Sequence, residues 1–166
     1  MKRRIVSIFL IFCLITILLP GCVFVSRDFR MTRDSILDEI GNVLIRKPAT
    51  KGKENSTPVL LQSHMDMVCE KNNDKVHDFN KDPIEAHIEG EWVKANGTTL
   101  GSDNGMGVAA AMAVLKADNI AHGPVEALFT VDEETGMTGA FGIKPGLMDG
   151  DILIRINSDF LKLQNS

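Results

Sequence analysis

Leu60-Leu61-Gln62-Ser63-His64-Met65-Asp66 decides the reading of this chain, because an apolar run ends there on an imidazole and a carboxylate. Val59-Leu60-Leu61 is short, continuous and bounded by the polar stretch Lys51 to Pro58, which is the pattern of a strand buried on both faces. Upstream, Gly41 to Arg46 reads as another short strand, stopped by Pro48. Downstream, a long polar stretch runs through Asn72, Asn73 and Asp74 to Pro83. Ile84 to Ala95 alternates loosely around Glu89-Gly90, which predicts a hairpin with Trp92 and Val93 on the return strand. Thr98 to Gly107 is rich in glycine and small polar residues and reads as a loop, and the alanine-rich Val108 to Ala117 predicts a helix that packs closely on a sheet. Val125 to Val131 and Asp151 to Ile156 add two strands. The order of these elements fits an α/β sheet covered by helices.

Three places on this scaffold carry metal-type side chains. His64 and Asp66 follow the buried run, two residues apart, so a strand continuing through them would aim both at one face. In open α/β sheets ligands bind beyond the carboxyl ends of strands. His64 can ligate a metal, and Asp66 can fix its ring. Asp103 lies between Gly101 and Gly105, where a carboxylate could bridge two cations; equally, Asp103 or Asn104 could simply cap the following helix. Asp132-Glu133-Glu134-Thr135-Gly136 follows the apolar run Leu128-Phe129-Thr130-Val131. Two adjacent acids at a strand end allow one to hold a metal and the other to act as general base for an attacking water. Each place has a plain alternative: a surface histidine, a helix cap, a solvated acidic pair. Taken jointly they form the mixed nitrogen and oxygen ligand set of a divalent-metal hydrolase.

Composition narrows the alternatives. The chain of 166 residues is long enough for one domain with a core. Its net charge of -4 and the lack of a basic cluster with interleaved aromatics argue against a nucleic-acid partner. Cys13, Cys22 and Cys69 match neither a zinc finger nor a redox pair, and Cys69 reads as a small buried or loop residue.

Residues 1–25 form a separate module. Lys2, Arg3 and Arg4 precede an uncharged stretch from Ile5 to Val25, the pattern of a secretory signal peptide. Leu19-Pro20-Gly21-Cys22 resembles a lipoprotein cleavage box with Cys22 as the lipidation point. An uncleaved membrane anchor is the second reading, since at about 1.5 Å per residue the stretch reaches across a bilayer core. Either way the N-terminus predicts a membrane-associated or exported protein.

Within the body of the chain, residues 26–160, the stretch from about Asp34 to Asp159 resembles the aminoacyl-histidine dipeptidases, also called cytosolic non-specific dipeptidases, a branch of the di-zinc exopeptidases. The resemblance is carried by Gly41-Asn42-Val43-Leu44-Ile45-Arg46-Lys47-Pro48, His64-Met65-Asp66-Met67-Val68, Lys71-Asn72-Asn73-Asp74, Gly90-Glu91-Trp92-Val93-Lys94-Ala95, Asp103-Asn104-Gly105, His122-Gly123-Pro124 and Glu133-Glu134-Thr135-Gly136-Met137. It implies a partial three-layer zinc-exopeptidase catalytic domain with a mixed sheet and flanking helices. It also implies two zinc ions: His64 on one, Asp103 bridging both and Glu134 on the second. Asp66 and Glu133 would be the catalytic pair, Asp66 supporting His64 and Glu133 taking the proton from metal-bound water that attacks a dipeptide substrate such as Xaa-His. A further ligand position falls on Asn157, where the family has an aspartate; an amide is a poorer, neutral ligand, and Asp159 stands two residues on. Residues 161–166 match nothing in the family. The family's lid domain and final histidine ligand have no counterpart, so a truncated fragment of low activity is expected. A non-catalytic, membrane-tethered remnant that binds metal or peptide is the alternative. The family's own location is cytoplasmic, against the export pattern of residues 1–25. Nothing in the sequence specifies an oligomeric state.

Overall fold

In the computed structural model, which describes residues 34–156, the strand that carries His64 lies inside a five-stranded sheet. The signal or anchor expected over residues 1–25, the ligand positions Asn157 and Asp159, and the tail 161–166 lie outside the described residues. In chain order the strands are β1 (Ser35–Leu37), β2 (Val43–Lys47), β3 (Val59–His64), β4 (Ala86–Glu89), β5 (Trp92–Ala95), β6 (Val125–Thr130) and β7 (Ile152–Arg155). The main sheet has the order β1-β2-β6-β3-β7, and β4 and β5 form a separate antiparallel hairpin. β1 with β2 and β2 with β6 are antiparallel, whereas β6 with β3 and β3 with β7 are parallel. The sheet is therefore mixed, as expected.

Burial explains why the apolar runs became strands. β6 is buried along its whole length between β2 and β3, and its two faces feed two cores. On one face Val43, Ile45, Leu61, Ala127 and Phe129 pack against Ala111 and Leu115 of the helix α1 (Ser102–Lys116). On the other, Leu44, Leu60 and Leu128 pack against Ile36 of β1 and against Ile143, Leu147 and Met148, which follow the short helix α2 (Thr138–Phe141). Residues one apart along each strand thus serve opposite cores, the consequence of the two-residue period of a pleated strand.

The helix begins earlier than its alanine-rich body predicts. Regular helical geometry is interrupted at Asp103 and Asn104, whose shared peptide bond is cis. Asn104 acts as the cap of the continuous helix beyond: its Oδ1 accepts the Gly107 N–H at 3.0 Å, three residues on. Its Nδ2 donates to the Ile156 carbonyl at 2.7 Å, which ties the helix start to the end of β7. Asn104, Gly107, Ala111 and Leu115 are the buried residues of α1, a stripe with helical period facing the sheet. A Cβ on Gly107 would sit 2.0 Å from Asn104 Oδ1 and 2.7 Å from the Ile156 carbonyl oxygen, so only glycine permits this approach. At the far end Lys47 Nζ donates to the Val114 and Ala117 carbonyls, placing a cation on the negative end of the helix.

Two further departures have local causes. β1 is too short to leave a periodic signal in the sequence. β3 ends at His64, so Asp66 stands in the loop and not on a strand face beside the histidine. Cys69 is an exposed, free loop residue, one of the two placements expected of it.

Candidate metal centre

β3 and β6 run parallel, with His64 opposite Thr130, so both deliver their following residues to the same edge of the sheet. His64 ends β3 and is 2 % exposed. The chain then turns, and Asp66 folds back onto the ring: its Oδ1 lies 3.0 Å from His64 Nδ1. The same carboxylate accepts the Glu133 N–H at 2.8 Å through Oδ1 and the Glu134 N–H at 3.0 Å through Oδ2. One side chain thereby orients the histidine and fixes the two-glutamate loop.

Asp103 reaches the same point from the helix side, with Oδ1 3.2 Å from His64 Nε2. Gly101 makes the approach possible. Its φ of +76° lies in the left-handed region, and a Cβ there would meet Met67 Sδ at 2.8 Å. The ligand atoms of His64, Glu133 and Glu134 all lie within 4.8 Å of one another. The structure therefore gathers His64, Asp66, Asp103, Glu133 and Glu134, every expected site residue among those described.

Electrostatics at this edge favour a cation. When the Nδ1–H of a neutral His64 ring donates to Asp66, its Nε2 lone pair faces the Asp103 carboxylate, acceptor against acceptor. A second proton or a shared cation satisfies that pair. Two ligands each about 2.0–2.1 Å from a tetrahedral zinc stand roughly 3.3 Å apart, close to the separation seen. Partial desolvation pushes the Glu134 carboxyl above its usual range, and the negative charges of Glu133, Asp103 and Asp66 add to this while His64 opposes it. A bound divalent ion would relieve the same crowding.

Residues that the sequence reading passed over hold the site in shape. Asp132 accepts hydrogen bonds from the Thr135 and Thr138 hydroxyls and from the Gly139 N–H, which closes the turn after the glutamates. Those hydrogen bonds, led by the Thr138 hydroxyl, lower its carboxyl from the usual range. Asn42, 1 % exposed, accepts the Val131 N–H at 3.0 Å and donates to the Gly139 carbonyl at 2.8 Å, so it spans both ends of that turn. Arg155, at the end of β7, places Nη2 2.8 Å from Glu133 Oε1. Asn42 and Arg155 both stood inside segments read as strands; Asn42 bonds Val131 and Gly139, far along the chain, and Arg155 is placed by the pairing of β7 with β3, neither of which a local pattern displays.

Comparison with known proteins shows the family of the chain. Peptidase family M20/M25/M40 matches residues 60–160. The cytosol non-specific dipeptidase of Escherichia coli (strain K12) is 61% identical over 122 residues, covering 74% of this chain and 25% of that protein. The crystal structure of aminoacylhistidine dipeptidase from Vibrio alginolyticus superposes with a TM-score of 0.71 at 57% identity, covering 74% of this chain and 25% of that one. Aminopeptidase PepT from Bacillus cereus ATCC 10987 superposes with a TM-score of 0.62 at 27% identity, covering 76% of this chain and 34% of that one. This chain spans about a quarter of the length of its two dipeptidase relatives.

Proposed function

Because the chain belongs to peptidase family M20/M25/M40, we propose that its clustered edge is the N-terminal part of a zinc dipeptidase site, acting on Xaa-His and other dipeptides. The observation that carries this is the cluster of His64, Glu133 and Glu134, with Asp103 Oδ1 3.2 Å from His64 Nε2 and a carboxylate, Asp66, behind the histidine. The names of the Escherichia coli and Vibrio alginolyticus relatives support a dipeptide as substrate.

The residues present fit a divalent ion. His64, Asp103 and Glu134 would hold it, with Asp103 between two ions if both bind. When bound, zinc would supply a Lewis acid that polarises the peptide carbonyl and eases deprotonation of the attacking water. Asp66 keeps the His64 Nδ1 occupied, so Nε2, on the side of Asp103, is the ring atom that would meet a metal. Glu133 takes the proton as the water oxygen adds to the carbonyl carbon, then returns it to the departing amine as the C–N bond breaks.

For location, the name of the Escherichia coli relative supports the cytoplasm. Among the described residues no helix is long and apolar enough to cross a membrane. The export or tether reading rests on the pattern of residues 1–25 alone.

The test is hydrolysis of an Xaa-His dipeptide by the purified 166-residue chain with added zinc, beside E133Q. Turnover that E133Q removes while zinc still binds supports the proposal. Stoichiometric zinc binding without turnover moves the reading to a non-catalytic, metal-binding protein. Absence of zinc binding rejects both.

A further inference from the structure

Glu133 and Glu134 are adjacent, both within reach of His64, and chemically identical, so proximity alone does not decide which one meets the metal. The difference between them lies on β7. Arg155 pairs in register with Gln62 of β3, which brings its guanidinium to the carboxyl ends of the parallel strands. There it makes a 2.8 Å ion pair with Glu133 Oε1. Among the described residues no lysine or arginine pairs with Glu134, whose carboxyl instead faces Glu133, Asp103, Asp66 and the His64 ring.

We propose that Arg155 is a positioning residue that engages the Glu133 carboxylate, so that Glu134 is the favoured ligand and Glu133 is kept for proton transfer. The inference rests on the metal-binding reading of the site. Guanidinium is always charged and its N–H groups bond carboxylates strongly, so a carboxylate engaged this way competes poorly for a cation. Glu133 is anchored from both sides: its backbone N–H is fixed to Asp66 and its carboxylate to Arg155. Glu134 shares the backbone anchor and lacks the cation. Removing the guanidinium frees Glu133 to join the coordination sphere, adding a ligand and costing the reaction its base.

Cobalt(II) tests this through binding and colour, independently of turnover. The full 166-residue chain, R155Q, R155K, E133Q and the double variant R155Q/E133Q are compared by cobalt(II) binding isotherms and visible absorption. R155Q is expected to bind roughly tenfold tighter, the order of an outer-sphere effect on metal affinity, with an altered ligand-field band. Both changes should vanish in the E133Q background, and R155K, which keeps one charge-assisted bond, should resemble the parent. Loss of positive charge alone would tighten binding equally with and without Glu133, which the double-mutant cycle separates. Unchanged affinity and spectrum in R155Q, or a change that persists without Glu133, overturns the proposal. A parent chain that binds no cobalt(II) overturns the metal reading, and this inference with it. Since Arg155 is half exposed, its replacement leaves the buried core intact.

Discussion

Asp66 accepts from three groups that belong to two different segments, the His64 ring and the backbone N–H groups of Glu133 and Glu134. Replacing it by asparagine keeps the shape and removes one anionic acceptor, so an N–H of the glutamate loop loses its partner and the ring loses its charged support. We expect D66N to fold normally and to bind zinc roughly 10–100-fold more weakly, the usual range for losing a partner behind a metal ligand. Competition against a chelator of known affinity would measure this, and parental affinity in D66N would refute the role. His64, Asp103, Glu133 and Glu134 were legible because each stands at the end of an apolar run or in a glycine turn. Arg155 was not legible, because only the pairing of β3 with β7 carries it to Glu133, and pairing partners leave no mark in local sequence.

At the scale of the element, α1 shows how a helix start and a site can share residues. Glycines and small polar residues from Thr98 to Gly107 signal a loop, yet Asp103 turns towards His64 while its neighbour Asn104 caps the helix. Cap and ligand, alternatives in the sequence, are divided between consecutive residues. The strands Val59–His64, Val125–Thr130 and Ile152–Arg155 and the hairpin were legible from apolar runs and Glu89-Gly90. The helix start was not, because its cap bonds to Gly107 and Ile156, one of them distant in sequence. Asn104→Ala removes both bonds, and loss of such a cap costs about 1 kcal/mol, with a further ~1–3 kcal/mol for leaving a buried partner unsatisfied. The urea midpoint of N104A should fall accordingly with an unchanged slope. Gly107→Ala should destabilise by a similar amount, about 1–3 kcal/mol, through overpacking against Asn104 and the Ile156 carbonyl. Wild-type midpoints in both variants would refute a capping role for Asn104.

For the whole molecule the two outer strands of the sheet are unequal. β1 is short and partly buried, whereas β7 pairs with β3 on one side and, among the described residues, with no strand on the other. Parallel strands are ordinarily covered on both faces, and Ile152-Leu153-Ile154 has the continuous apolar sequence of such a strand. Yet Ile152 is 47 %, Leu153 63 % and Ile154 47 % exposed. An unpaired edge with apolar side chains on both faces is a template for association, and a lysine on such an edge opposes it. The 166-residue chain should therefore associate increasingly with concentration, and Leu153→Lys should shift it towards the monomer in sedimentation velocity. Because Leu153 is mostly exposed, the substitution should alter stability by no more than about 0.5 kcal/mol, so its thermal midpoint should stay near that of the parent. Zinc affinity should also be kept, since Leu153 contributes no group to the cluster around His64. A variant that sediments like the parent at every concentration would show that association, if it occurs, uses another surface, such as the exposed Ile88, Trp92 and Val93 of the β4–β5 hairpin.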